Sequence, residues 1–142
     1  MELSTVINNL LPKAQLITPQ SWTDIAPPTQ TCLVAANERK VFLDNQELEQ
    51  LKQQQLIDQS QYDLLIQLRE QAPQLIDRAR QDLLQEFPVL TQPGGGLYPA
   101  TREKACWLDL WHFLRCISYA IVVKNLNLQI LKVLNICANC IK

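Results

Sequence analysis

Gly94, Gly95 and Gly96 follow one another between Pro93 and Pro99, and the chain has no other glycine. The tract cuts a glutamine-rich, helix-forming chain in two. Glycine adopts positive φ without penalty and lets backbone approach where a Cβ would collide, so this loop is built to sit tightly against a ligand or a neighbouring helix. Beyond Pro99, the stretch "TREKACWLDLWHFLRCISYAIVV" contains neither glycine nor proline. Its apolar positions 106, 110, 113, 114, 117 and 121 keep helical spacing and predict the longest helix of the chain.

Upstream of the loop, "DNQELEQLKQQQLI" offers Asp44 as an N-cap with Glu47 three residues on, followed by Leu48, Leu51 and Leu56 at near-helical spacing. Ser60 with Asp63 repeats the capping signal, and Leu64, Leu65 and Leu68 extend the apolar stripe. Pro73 suits the first turn of a new helix over 74–87, in which Leu75, Ile76, Ala79, Leu83, Leu84 and Phe87 keep a helical period. Pro12, Pro19, Pro27 and Pro28 exclude one long helix over residues 1–40, which read as short turns in a loosely attached arm. Past Val123, Leu126, Leu128 and Ile130 fit a strand, whereas Leu126, Ile130, Val133, Leu134 and Cys137 fit a helix; we favour the helix. The expected organisation is an N-terminal arm at 1–40, an all-α domain at 41–123 and a divergent tail at 124–142.

A length of 142 residues with 47% hydrophobic content suffices for one domain with its own core. Thirteen basic and fourteen acidic side chains leave a formal charge of −1 with no long block of either sign. That argues against an electrostatic grip on nucleic acid or anionic lipid, so a partner is recognised by shape and apolar contact. No basic region leads into an apolar run near Met1, so we expect no secretory signal, a cytosolic chain, and reduced thiols at Cys32, Cys106, Cys116, Cys137 and Cys140. The apolar run from Cys116 to Val123 is followed too soon by Lys124, Asn125 and Asn127 for a membrane span. The C-x-x-C at Cys137 and Cys140 has no second pair to complete a zinc site and no βαβ setting for redox work, so it reads as packing. No Ser/His/Asp set, phosphate loop or metal-grade carboxylate cluster appears, which argues against hydrolytic and phosphoryl-transfer roles.

On a helix, Arg102, Cys106, Asp109 and Phe113 fall on one face, because neighbours three and four apart stack. A cation, a thiol and a carboxylate are thereby aligned. Such a row suits an extended conjugated ligand: a thiol for a covalent bond, a carboxylate to accept from ring N–H groups, an arginine for a ligand carboxylate. On spacing alone the row reads better as a small buried cysteine between two solvated charges, because free cysteine is among the residues most often buried. Trp107 and Trp111 read as core packing, and Tyr98 either lines a pocket or staples the turn. A lone His112 reads as a hydrogen-bonded structural residue rather than a haem ligand.

The order Pro93, Gly94, Gly95, Tyr98, Arg102, Ala105, Cys106, Asp109, Phe113, Leu114, Arg115 closely resembles the chromophore-binding region of the phycobiliprotein family. The runs "SYAIV" at 118–122, "FLDNQELEQL" and "RARQDLLQEFPVLTQPGG" are similar to that family as well, with no gap needed between Phe42 and Val122. The resemblance implies an all-α, globin-like fold, incomplete towards the C-terminus, and a linear tetrapyrrole (bilin such as phycocyanobilin) joined through a thioether at Cys106. It further implies that Asp109 holds the central pyrrole nitrogens, that Arg102 pairs with a propionate, and that Tyr98 lines the site. It implies light harvesting in the phycobilisome, on the cytosolic face of the thylakoid membrane, with other phycobiliprotein subunits or linker proteins as partners in an oligomer. Leu108 stands where the family usually has an arginine, Thr101 where a second is common, and Gly96 where β-type subunits carry asparagine. These departures keep open a second expectation, a pigment-free relative that serves the antenna as an assembly, linker or degradation factor.

Overall fold

The structure, a computed structural model, describes residues 19–22 and 24–123, Ser21 by its backbone alone. The expectations for the C-terminal tail and for Cys137 and Cys140 lie outside the described residues. The described residues form four α-helices: α1 (Pro27–Arg39), α2 (Asn45–Gln53), α3 (Gln59–Glu86) and α4 (Ala100–Val122). Short 3₁₀ turns occupy Pro19–Ser21 and Pro88–Thr91. The described residues are all-α, as the apolar spacing and the resemblance lead one to expect.

Helices α2 and α3 begin where a side chain gives the backbone donors a substitute partner. At α2 the capping box predicted from Asp44 and Glu47 forms in full: Glu47 N donates to Asp44 Oδ1 at 2.8 Å, and Asp44 N to Glu47 Oε2 at 2.9 Å. The second box lies two residues earlier than its expected place at Ser60. Asp58 caps α3, with Gln61 N donating to Asp58 Oδ1 at 2.7 Å and Asp58 N to Gln61 Oε1 at 2.9 Å. Asp63 instead accepts from Gln59 Nε2 at 2.8 Å across one turn.

Two expectations based on proline are corrected. Pro73 does not start a helix; it sits inside the 28-residue α3. Proline's missing N–H costs one ladder bond there, but its ring is exposed while the adjoining Ala72 is fully buried, so packing on the inner face carries the helix through. Pro27 and Pro28 do not keep residues 27–39 in a loose arm. They occupy the first turn of α1, where the absent donors have no intrahelical partner to lose. The helix ends at Lys40, which adopts the left-handed conformation (φ 55°, ψ 47°) and donates its N–H to the carbonyls of Ala36 and Asn37.

Leu33 and Ala36 of α1, Leu48 and Leu51 of α2, Leu65 of α3, and Tyr119 and Val122 of α4 meet Leu43 and Ile57 in one core. The core thus gathers the beginning of α3 and the end of α4. Helices α3 and α4 run antiparallel, since Gln61 Nε2 donates to Ile121 O at 2.9 Å while, far along α3, Arg80 Nε donates to Glu103 Oε1 at 2.7 Å. The Gln61 side chain therefore caps α3 and also satisfies a carbonyl at the end of α4 that the helix cannot. Arg69 ties the α1–α2 loop to α3 through Leu43 O at 2.9 Å and Asn45 Oδ1 at 2.6 Å. From Asp77 to Leu114 no residue is buried, so the α3–α4 pair projects from the core as a two-helix arm.

Candidate functional site

The arm turns on the three-glycine loop. Gly94 has φ +88°, and a Cβ on Gly95 would lie 2.3 Å from the carbonyl oxygens of both Val89 and Leu90. The close approach foreseen in the sequence is real, but its object is the chain's own preceding 3₁₀ turn. Nothing crowds a Cβ at Gly94, and only a Leu90 methyl at 3.9 Å meets one at Gly96. The loop closes through Leu97 N to Leu90 O at 2.9 Å and Gly95 N to Gln92 O at 2.8 Å. It delivers the chain to Pro99, where α4 starts. Tyr98, exposed to 45%, stands on this loop.

Along α4 the structure places Arg102, Cys106, Asp109 and Phe113 on one line, as an advance of about 100° per residue requires. Arg102 and Asp109 are exposed, and Cys106 and Phe113 are half-buried. The line marks the margin of the seam between α4 and α3. Within the seam, Glu103 accepts from Arg80 Nε at 2.7 Å and from Trp107 Nε1 at 3.3 Å. These two donors hold the Glu103 carboxyl below its ordinary range, with the Arg80 hydrogen bond acting most strongly. One helix turn and its clip therefore fix the orientation of the row.

Trp111 points the other way and meets Phe42 edge-on, with ring centroids 5.2 Å apart and planes at 78°. The stripe Leu108, His112, Arg115, Tyr119 also faces the core side. At Leu108 the stripe has run past the core, and this leucine is 55% exposed.

The buried end of α4 holds a polar cluster that the sequence reading missed. Arg115, only 5% exposed, donates from Nη1 to Asn37 Oδ1 at 2.8 Å and to Tyr119 Oη at 3.0 Å, and from Nε to His112 Nδ1 at 3.2 Å. The Tyr119 hydroxyl in turn donates to Val41 O. His112 is thus the hydrogen-bonded structural residue expected. A signal was present: an arginine on the apolar stripe of a helix, spaced three and four residues from a histidine and a tyrosine, needs acceptors that such neighbours supply. Burial raises the Tyr119 hydroxyl above its ordinary range, opposed by the Arg115 hydrogen bond.

The thiols differ by place. Burial, with a smaller push from Glu47, drives Cys32 up to about 11, and burial likewise raises Cys116. Both stay protonated near neutrality and are poor nucleophiles. Cys106 sits instead at the seam margin between two exposed charges. A shallow surface depression lined by Phe42, Asp44, Asn45, Gln46 and Arg69 includes none of the row. Among the described residues no group of three metal-ligating side chains comes together, and no helix is long and apolar enough to cross a membrane.

The family model described as "Phycobilisome protein" matches residues 31–137. The match starts inside α1 and passes the end of α4, so it reaches beyond both limits, Phe42 and Val122, of the resemblance seen in the sequence. The chain is 37% identical over 68 residues to "Allophycocyanin subunit beta-18" of Porphyra purpurea, covering 48% of this chain and 40% of that protein. It is 33% identical over 87 residues to "C-phycocyanin beta chain" of Galdieria sulphuraria, covering 61% of this chain and 51% of that protein. Both relatives are β chains, although Gly96 departs from the β pattern. The matched segments span about half the length of these relatives or less. No solved structure matches the chain.

Proposed function

Because this chain belongs to the phycobilisome protein family, we propose that it is a light-harvesting, non-enzymatic antenna protein carrying a bilin covalently at Cys106. The observation that carries this reading is the row on α4. A thiol at the margin of a helix seam lies between an exposed guanidinium and an exposed carboxylate, aligned over about two helical turns. That donor set suits a linear tetrapyrrole. The Cys106 sulfur would add to a carbon–carbon double bond of the pigment, its proton passing to the second carbon, so that no oxidant is consumed. Asp109 would accept from pyrrole N–H groups, Arg102 would pair with a propionate, and Tyr98 would line the loop end. The pigment supplies light absorption; the helix row supplies attachment and an extended, rigid geometry.

The exposed apolar side chains of the arm, among them Leu75, Phe87, Val89 and Leu108, suit docking to other phycobiliprotein subunits or linker proteins. On this reading the chain works at the cytosolic face of the thylakoid membrane. Leu108 also favours a second reading. An exposed leucine in place of the family's usual arginine removes a charged contact to the pigment and adds apolar surface, as a pigment-free assembly, linker or degradation factor requires. Co-expression with bilin-forming enzymes and a bilin lyase, followed by denaturing electrophoresis and zinc-enhanced fluorescence, decides between them. A fluorescent band lost in Cys106→Ala is expected for the first reading. An unstained band with several lyases supports the second and overturns the first.

A further inference from the structure

Arg115 is a cation inside the core, and its described partners are all neutral: the Asn37 amide, the Tyr119 hydroxyl and the His112 ring. A buried guanidinium is tolerated when its N–H groups find acceptors, and each acceptor lost is expensive. Through these partners Arg115 joins α1 to α4, and the Tyr119 hydroxyl extends the contact to Val41 in the α1–α2 loop. His112 supplies its share with the lone pair of Nδ1, which requires a neutral imidazole protonated on Nε2.

We propose that His112 is a proton-operated release on Arg115, loosening α1 and the α1–α2 loop from the end of α4 in mild acid. A second proton on the ring lands on the lone pair that Arg115 uses. It turns the acceptor into a donor and sets two cations face to face, 3.2 Å apart. Burial opposes that proton first, and Arg115 and Lys40 oppose it next; Asp109, one turn back on α4, favours it. From the end of α1 come Arg39 and Lys40; Arg39 is paired with Glu47, the carboxylate that α2 brings towards Tyr119. The ring therefore takes its proton at lower pH in the folded chain than in the unfolded one, where histidine titrates at about 6.5.

The direction follows from linkage. Below pH 6.5 the unfolded chain binds the proton first, so stability is full above that pH and falls as the pH drops, until the folded form titrates as well. One proton limits the effect to about tenfold in the folding equilibrium per pH unit. The α3–α4 pair keeps the Gln61 and Arg80 contacts, in which His112 has no part.

Urea titration of the full chain at pH 7.5, 6.5 and 5.5, compared with His112→Asn, tests the proposal. Asparagine retains an acceptor but takes no proton. The wild-type folding constant is expected to fall several-fold more than that of the variant between pH 6.5 and 5.5. His112 is the chain's one histidine, so an imidazole ¹⁵N–¹H titration reads the same group directly. It should give an Nε2–H tautomer at pH 7.5 and a midpoint below 6.5, and it decides the matter alone should the variant not fold. A midpoint at or above 6.5, or equal acid sensitivity of wild type and variant, overturns the proposal.

Discussion

The two ends of α4 belong to one helix and obey different rules. At its C-terminal end Arg115, Ser118, Tyr119, Ala120 and Val122 are buried, and their polar neighbours find partners on α1, the α1–α2 loop, α3 and α4 itself. At its N-terminal end nothing is buried, and Glu103 clips the helix to Arg80 of α3. Side chains in the first region are held by the fold. In the second, Arg102 and Asp109 are exposed. The packed residues and the row proposed to hold the pigment are thus separated by about three helical turns rather than by a domain boundary.

The largest expected effect tests the packed end. Leu33 is fully buried against the α4 terminus, and Leu33→Ala removes its branch without room for full collapse. A loss of about 3 kcal/mol is expected in urea unfolding. A loss under about 1 kcal/mol would mean that α1 is not part of the cooperative core. Tyr119→Phe comes next, at about 2 kcal/mol, because it strips Arg115 and the Val41 carbonyl of a shared partner in a site 0% exposed. The same measurement in Asn37→Ala should show coupling with Tyr119→Phe in a double-mutant cycle, since both act through Arg115.

At the arm's tip the effects shrink and become local. Gly95→Ala drives a Cβ into two carbonyl oxygens and should cost about 1–2 kcal/mol; Gly94→Ala, strained only by its positive φ, about 1 kcal/mol. Gly96→Ala has room and should be neutral by the same assay. Equal costs at all three positions would show that the loop is not held by the Gly95 contact.

How much of this could be read beforehand depends on the range of the contact. The Asp44–Glu47 box was legible because its two hydrogen bonds span three residues. The long α4 was legible because its spacing is uninterrupted. The prolines misled in both directions: proline reports its own φ and missing donor, but whether a helix begins there, as at Pro27, or passes through, as at Pro73, depends on packing of neighbours such as Ala72. The second box, Asp58 with Gln61, spans three residues as well and was equally legible; the further tie of Gln61 to Ile121, 60 positions away, was not. Arg115 stayed hidden for the same reason: Asn37 and Val41 each lie 78 residues from the side chain they serve. The row at Arg102, Cys106 and Asp109 was legible as an alignment, because a helix fixes which residues share a line. What the row faces was not.

Acid sharpens the contrast between the ends. Glu103 has its carboxyl lowered by Arg80 and Trp107, so its contribution is present above the unfolded carboxylate range and is lost as pH falls through the folded value. Its pH window lies below about 4.5, beneath the window in which His112 acts at the other end. In Glu103→Gln, Trp107 fluorescence should lose its acid-dependent change below pH 4.5, while urea midpoints at neutral pH shift only slightly, as a surface pair predicts.

The smallest effect on stability is expected at Arg102 and Asp109, the residues proposed to hold the pigment. Arg102 and Asp109 are exposed, so Arg102→Ala and Asp109→Ala should leave the urea midpoint unchanged within error. If the α4 row carries a bilin, Asp109→Ala should nevertheless shift or broaden the visible absorption of the loaded protein, because the pyrrole nitrogens lose their acceptor, and Arg102→Ala should reduce the loaded fraction. The two assays together separate the ends of the helix. A variant that changes colour but not stability places its residue with the ligand. If instead both substitutions destabilise the chain as Tyr119→Phe does, the N-terminal half of α4 is part of the cooperative core, and the division between the packed end and the available end fails.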